Sequence, residues 1–289
     1  MAGICIAPVV GGATAAAIKN MHDSQVAATV DSDRQRDLGA TATAQTKNPN
    51  VGTYGEFSQG VAEAIKQRTG LLSVEFKDGT LLLGTAWFIR PPEYLDDGAI
   101  YLATAAHALT NDGKRKVEDI AQVGFGRPGY DLQAYSFMSG EFTAAVPANY
   151  DGSRIGDDKG IVRLPPSKPL STVWQPYELT YDATPALHPG QELLVTGFPR
   201  EFQHDGIDGS HCNTTPARFE GYNKDGSIRM QCLTDLGSSG SSVIAFDGGG
   251  VYPVGIAVSI ETDNEYQSSA SGLQGLEVLF QDAQKRFMI

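Results

Sequence analysis

Short apolar runs separated by turn residues fill the sequence from residue 70 onwards. In the first half, runs typical of β-strands lie at residues 71–76, 80–89, 99–106, 117–125, 134–139, 142–147 and 160–164. In the second half they lie at residues 192–198, 217–222, 227–232, 241–246 and 251–260. Clusters of Gly, Pro and Asp separate the runs, and no long helical period interrupts them. The pattern therefore predicts an all-β protein built as a sandwich or as a pair of barrels.

Composition divides the chain into three parts. Residues 1–57 are small or polar and lack a periodic apolar face, which is typical of a leader, a pro-segment or a flexible arm. Residues 58–68 have an apolar spacing that predicts a short helix. The proline-rich stretch at 165–169 cannot pair within a sheet, so we expect a boundary there between one β unit at 58–168 and a second at 169–289.

The first residues leave the cellular compartment open. Residues 1–18 are small and apolar and end in an alanine-rich stretch that a signal peptidase could accept. A secretory signal normally begins with a basic residue, however, and the first one here is Lys19. A leader would favour a secreted or periplasmic protein, and a plain flexible arm would leave the location undetermined. No apolar run reaches the length of about 18 residues that a membrane span needs.

Charge and composition exclude several classes of function. Lys and Arg number 22 against 34 Asp and Glu, which gives a net charge of −12. Such an acidic chain has little with which to displace counterions from phosphates, so we expect neither nucleic acid nor an anionic membrane as a partner. The three cysteines are too few for a disulfide scaffold and too scattered for a zinc site. We therefore expect no metal and no cofactor.

Three short motifs supply a base, an acid and a hydroxyl. Thr104-Ala105-Ala106-His107 places an imidazole at the end of a strand-like run, although a lone histidine is more often structural. Asp158 precedes the apolar run 160–164, where a carboxylate could either make a turn or hold the imidazole in one tautomer. Gly237-Ser238-Ser239-Gly240 could be a plain turn or a loop that carries a nucleophile. Their conjunction matters because a serine hydroxyl needs an adjacent base, and the base needs an orienting group.

Glycine in the third motif has a chemical reason. A flexible backbone at Gly237 lets the N–H groups of Gly237 and Ser239 converge on one point, where the oxyanion of a tetrahedral intermediate would lie. Loss of such stabilisation costs about 3–4 kcal/mol in the transition state. An α/β-hydrolase would instead need Gly-x-Ser-x-Gly and alternating strands and helices, and the sequence has neither.

With these motifs the sequence resembles the chymotrypsin-like, or trypsin-like, serine proteases, and among them the bacterial branch that includes staphylococcal glutamyl endopeptidase. The matching segments are Gly84-Thr85-Ala86-Trp87-Phe88-Ile89, Thr104-Ala105-Ala106-His107, Asp158 to Leu164, Thr196-Gly197-Phe198-Pro199, Cys232 to Ser241 and Val254-Gly255-Ile256. The resemblance covers about residues 70–289. It implies two six-stranded antiparallel β-barrels with a short N-terminal helix and a C-terminal helix, His107 and Asp158 coming from the first barrel and Ser239 from the second. It also implies a monomeric serine endopeptidase that acts on polypeptides through an acyl-enzyme.

Departures from the family pattern keep two alternatives open. Asp157 is a second candidate for the acid, although the register to the apolar run favours Asp158. Ser242 stands where the family usually has proline, which could loosen the strand after Ser239. The chain could therefore be a catalytically silent binding module with a protease fold, or a precursor that residues 1–57 hold inactive.

The resemblance also indicates which residues form the specificity pocket. Leu233 occupies the floor position and Thr234 follows it, so cleavage after Lys or Arg is disfavoured. Ala257, Val258 and Ser259 occupy the wall, and Ala257 stands where glutamyl endopeptidases carry a histidine. We expect a preference for neutral side chains of small or medium size.

Two further expectations concern the second half of the chain. Cys212 and Cys232 could form a disulfide in an oxidising compartment or remain two buried thiols. Residues 275–280 are expected to form the last strand, before the C-terminal helix. Residues 276–281 also match the recognition sequence of a rhinovirus protease that is used in expression tags, so their origin stays open.

Overall fold

The computed structural model describes residues 68–126, 135–166, 186–198, 213–232, 239–247, 250–260 and 267–287. In the first half, the described strands are β1 Thr69–Phe76, β2 Leu81–Ile89, β3 Ile100–Thr104, β4 Ile120–Gly126, β5 Tyr135–Met138, β6 Thr143–Ala145 and β7 Gly160–Leu164. In the second half they are β8 Glu192–Gly197, β9 Asn213–Tyr222, β10 Ile228–Cys232, β11 Ser242–Asp247, β12 Gly250–Ile260 and β13 Gln267–Gly272. The described α-helices are α1 Ala106–Thr110 and α2 Leu276–Phe287, and short 3-10 helices lie at Glu93–Leu95, Val117–Asp119 and Ile155–Asp157.

The strands form two antiparallel units, and the expected all-β architecture is confirmed. Strands β8–β13 close into a six-stranded barrel in the order β10-β13-β12-β11-β8-β9. Strands β1–β7 form a curled sheet of seven strands in the order β5-β4-β1-β2-β3-β7-β6, where a six-stranded barrel was expected. Its two edge strands, β5 and β6, are connected by only residues 139–142, so the sheet curls until its edges nearly meet.

The central strands of the curled sheet are apolar on both faces, which explains their continuous hydrophobic sequences. One face, which includes Phe88 and Leu102, packs into the core of the curled sheet. The opposite face, which includes Trp87 and Tyr101, packs against residues of the barrel and of α2. This shared cluster joins the two units through buried apolar contacts.

The prediction that residues 275–280 form the last strand is wrong, because most of this segment is helical. Residues 276–280 begin the helix α2, and the last described strand, β13, lies at Gln267–Gly272. The physical reason is the spacing of the apolar side chains, since Leu276, Leu279, Phe280 and Ala283 recur every three or four residues and are all buried. These side chains join the shared cluster, so the segment that matches a protease recognition sequence is part of the packed core.

Strand β13 was not predicted, because its sequence Gln-Ser-Ser-Ala-Ser-Gly lacks large apolar residues. It nevertheless pairs with both β10 and β12, and Ser268, Ser269 and Ser271 are buried in it. The expected arm at 1–57 and most of the expected helix at 58–68 lie outside the described residues. Of the described helices, none combines the length and the apolar character needed to cross a membrane.

Candidate active site

His107 lies at the start of α1, directly after the strand β3. Ala105 and Ala106 are fully buried, and their small side chains allow the chain to turn from the strand into the helix against the sheet. The helix ends after five residues because Asn111 and Asp112 adopt left-handed backbone conformations, with φ of 51° and 56°. The imidazole of His107 keeps a partly exposed edge, with 21% of its side-chain surface accessible.

Asp158 binds His107 at two places. Its Oδ2 lies 2.8 Å from Nδ1 of the imidazole, and its Oδ1 accepts the backbone N–H of His107 at 2.9 Å. The carboxylate is nearly buried, so Nδ1 carries the proton that it accepts and Nε2 keeps its lone pair. The rival acid, Asp157, instead lies 3.1 Å from a guanidinium nitrogen of Arg154. The arrangement orients one imidazole and leaves its outer nitrogen available as a base.

The electrostatic surroundings of His107 favour its charged form. Burial by itself would lower the pKa of His107. The hydrogen bond and the negative charge of Asp158, together with the charge of Asp112, outweigh burial and raise this pKa above the ordinary histidine value. A base with a raised pKa accepts a proton more readily, but it is also neutralised only at a higher pH.

Tyr150 is a member of the site that the sequence did not indicate. It lines the same cavity as His107 and Asp158. Burial, and then the charge of Asp158, raise the pKa of Tyr150 above its ordinary value, so the phenol stays protonated beside the carboxylate.

Ser239 belongs to a tight loop before β11. Its hydroxyl donates to the backbone carbonyl of Val258 across 3.4 Å, which is a long and weak hydrogen bond. The next residue, Gly240, has a φ of +91°, and a Cβ there would lie 1.9 Å from the carbonyl oxygen of Thr85. Only glycine fits this position, so the Gly of the Ser-Gly pair is required by the approach of the loop to β2.

Thr85 connects the three segments that form the cleft. Its backbone N–H donates to the carbonyl of Ser239 at 2.8 Å. Its carbonyl accepts the hydroxyl of Thr104 at 2.8 Å, and its hydroxyl accepts the backbone N–H of Phe198 at 3.0 Å. Because Thr104 precedes His107 by three residues, the loop of Ser239 and the strand end before His107 contact the same residue. No sequence motif indicated this role, since the three partners are distant along the chain.

A cavity of about 260 Å³ opens beside His107. Its wall consists of His107, Asp112, Tyr150, Gly152, Arg154, Ile155, Asp158 and Val258. Ser239 is not part of this wall, but its hydroxyl donates to the backbone carbonyl of Val258, which is. The cavity is large enough for a side chain of a bound polypeptide.

The structure describes the expected pocket residues only in part. Leu233, Thr234 and Gly237 lie outside the described residues, as does the side chain of Ser259. Ala257 is described, and its side chain packs into the barrel core. Its backbone accepts the N–H of Gly240 and donates to the carbonyl of Ser241, both at 2.8 Å, which fixes β12 beside the serine loop.

Two remaining expectations concern cysteine and metal. Cys232 is a buried free thiol whose pKa is raised by burial, and its proposed partner Cys212 lies outside the described residues. Among the residues that the structure describes, no group of three or more His, Cys, Asp and Glu side chains is arranged to hold a metal ion.

Comparison with known proteins identifies the fold. No protein-family model matches the sequence, and no curated protein sequence matches it. The structure is similar to that of AL20, a thermostable serine protease from an extremophilic microorganism, with a TM-score of 0.56 and 14% identity over 77% of this chain and 99% of that one. It is also similar to the protease Anisep from Arthrobacter nicotinovorans, with a TM-score of 0.55 and 12% identity over 78% and 96%.

A viral protease gives the same result. Tobacco etch virus protease, in its complex with product, matches with a TM-score of 0.50 and 12% identity over 81% of this chain and 88% of that one. At such low identities the likeness concerns the fold and does not transfer an activity. The chain therefore has the fold of the chymotrypsin-like serine proteases.

Proposed function

We propose that the protein is a serine endopeptidase in which Ser239 is the nucleophile, His107 the base and Asp158 the group that orients the base. The observation that carries the proposal is the double contact of Asp158 with His107, because it fixes the tautomer that leaves Nε2 free to take a proton. The protease neighbours support a peptidase as the general class of activity. Of the two candidate acids, Asp158 has the geometry for the role.

The reaction divides into two acyl transfers. Ser239 Oγ attacks the scissile carbonyl while its proton moves to His107 Nε2, and the Asp158 carboxylate stabilises the resulting imidazolium. The backbone N–H groups of Gly237 and Ser239 would stabilise the oxyanion. His107 then gives its proton to the leaving amine, and the same residues activate a water molecule that hydrolyses the acyl-enzyme.

The ground-state contact of the nucleophile is compatible with this sequence of steps. Ser239 Oγ donates to the backbone carbonyl of Val258 across 3.4 Å. Because this hydrogen bond is weak, little binding energy is lost when the hydroxyl turns towards the imidazole. The same contact would also suit a precursor, since a hydroxyl bonded to a carbonyl is not bonded to its base. A precursor held inactive by residues 1–57 is therefore the second candidate.

The proposed substrate is a polypeptide with a neutral residue of small or medium size before the scissile bond. The sequence supports it because Leu233 at the floor position carries no charge that could pair with an ionic side chain. No histidine stands at position 257, where the side chain of Ala257 packs into the barrel core. A peptide library read by mass spectrometry measures this preference, and a profile dominated by Arg, Lys or Glu would contradict it. At 14% and 12% identity, the structural neighbours do not confirm the expected relation to the glutamyl-endopeptidase branch.

A fluorophosphonate probe tests the proposed function at neutral pH. Such probes react with a serine only when the base and the oxyanion hole are assembled, so we expect full-length protein to become labelled on Ser239. Ser239→Ala should abolish labelling, and the matched variant Ser238→Ala should retain it. Peptide mapping by mass spectrometry identifies the labelled residue.

The result also separates the alternatives. If the folded full-length chain is not labelled but a chain that begins near Ser58 is, the protein is a precursor. If neither is labelled, the endopeptidase proposal is wrong and the silent binding module is correct.

A further inference from the structure

Lys159, the residue after Asp158, is buried although it is a lysine. Only 8% of its surface is accessible. Its Nζ donates to the backbone carbonyls of Gly156 at 2.7 Å and Gly272 at 3.2 Å, and lies 3.5 Å from the hydroxyl of Ser271. Within the described part of the chain, no carboxylate forms an ion pair with Nζ, although the charge of Asp157 favours the ammonium from a greater distance. The hydrogen bonds of Nζ are therefore all to neutral oxygens.

This arrangement has an energetic cost that packing does not require. A buried ammonium loses its hydration, and burial lowers the pKa of Lys159, although the charge of Asp157 acts in the opposite direction. An apolar side chain of similar length would fill the same space without that loss. Any advantage of a lysine over an apolar residue at this position must therefore come from the hydrogen bonds that Nζ makes.

Those hydrogen bonds connect the two β units next to the proposed acid. Gly156 lies in the 3-10 helix of the first unit, two residues before Asp158, whereas Ser271 and Gly272 end β13 of the barrel. Ser271 Oγ also donates to the Gly156 carbonyl at 2.8 Å, so one carbonyl binds both partners. Lys159 thus fastens the segment that carries Asp158 to the barrel.

The junction is tight as well as polar. The backbone N–H of Gly156 donates to a carboxylate oxygen of Asp225 in the β9–β10 turn at 3.1 Å. A Cβ at Gly156 would lie 2.5 Å from the backbone carbonyl of Asp225, so the two units approach each other too closely for a side chain. A group that fixes this junction therefore also fixes where Asp158 and His107 lie relative to the barrel.

We propose that Lys159 is a positioning residue, which holds the Asp158–His107 pair in register with the barrel that carries Ser239. This inference rests on the proposed function. Lys159 is too deeply buried to contact a polypeptide substrate, so its effect reaches the reaction only through the alignment of His107 with Ser239. Alignment errors of about 1 Å can lower a rate about a hundredfold, and they lower kcat more than they raise KM.

Lys159→Met in the full-length protein tests the proposal, because Met keeps most of the length and lacks the donor. We expect kcat and the rate of fluorophosphonate labelling to fall about tenfold to a hundredfold while KM changes less than about twofold. A thermal unfolding curve verifies that the variant is folded, since the carbonyls of Gly156 and Gly272 lose one donor. Lys285→Met is the matched control, because Lys285 is exposed on α2, and it should change neither rate.

A stable Lys159→Met variant with kcat within twofold of the wild type would overturn the proposal. If this variant does not fold, Lys159→Gln decides by the same criterion, because glutamine keeps a polar end but is one atom shorter and cannot reach the same carbonyls. A fall in kcat then supports the positioning role of Lys159, and an unchanged kcat overturns it.

A spectroscopic readout separates this inference from the proposed function. The proton between His107 Nδ1 and Asp158 can be followed by NMR without any substrate, at low field. We expect Lys159→Met to broaden or shift this resonance, and Lys285→Met to leave it unchanged. Wild-type protein that hydrolyses no peptide would refute the endopeptidase proposal alone, and the NMR result would still test whether Lys159 positions the pair.

Discussion

Replacement of His107 by alanine is expected to lower kcat for peptide hydrolysis about a million-fold, the loss typical of a serine protease without its base. Without the imidazole, the hydroxyl of Ser239 keeps its proton and is a poor nucleophile. The fold should survive, because Asp158 still accepts the backbone N–H at position 107. The measurement is steady-state hydrolysis of a fluorogenic peptide, with a thermal unfolding curve to verify folding.

His188 provides the matched control for that experiment. It is exposed at the start of the barrel, where its backbone N–H donates to the side chain of Gln191. His188→Ala should therefore retain the wild-type kcat. Hydrolysis by His107→Ala within tenfold of the wild type would show that another group acts as the base.

The pH profile gives a second readout of the same residue. His107 must be neutral to accept a proton, and its pKa is raised above the ordinary value of 6.5 by Asp158 and Asp112. The acid limb of kcat/KM should consequently lie above pH 6.5, whereas the sequence alone predicts a limb near the unperturbed value. Asp112→Asn removes one of the two charges and should move the limb to lower pH.

The sequence predicted most of the strands because burial on two faces produces long apolar runs. Trp87 and Phe88 show the principle, since consecutive residues of β2 enter different clusters and both must be apolar. Strand β13 was not predicted, because it contains no long apolar run. The hydroxyls of Ser268 and Ser271 donate to the backbone carbonyls of Cys232 and Gly156, and such partners are brought together only in the folded chain.

In the candidate site, too, residues within a short motif could be predicted from the sequence, whereas residues that act through distant partners could not. His107, Asp158 and Ser239 could be proposed because each lies in a short motif whose chemistry is local. Thr85 and Lys159 could not, because their partners lie about a hundred residues away in the sequence. Contacts at such a separation are set by how the two β units pack, which no spacing of residue types encodes.

Asp158→Asn is expected to lower kcat about ten-thousandfold, an effect that depends on the tautomer of His107. The carboxylate accepts the Nδ1 proton and the backbone N–H together. An asparagine has one carbonyl oxygen for these two donors, and if that oxygen keeps the backbone N–H, its amide N–H₂ faces Nδ1. The imidazole then carries its proton on Nε2, so it can no longer accept one from Ser239. Steady-state kinetics on the full-length variant measure the loss.

Asp157→Asn makes the comparison decisive, since Asp157 precedes Asp158 directly in the chain and pairs with Arg154. That ion pair is partly exposed, with 55% and 25% of the two side chains accessible, so its loss should change kcat less than about twofold. A larger loss from Asp157→Asn than from Asp158→Asn would assign the acid to Asp157. Equal and small losses from the two variants would mean that the imidazole needs no carboxylate to orient it. The buried double contact between Asp158 and His107 would then not be the basis of the activity.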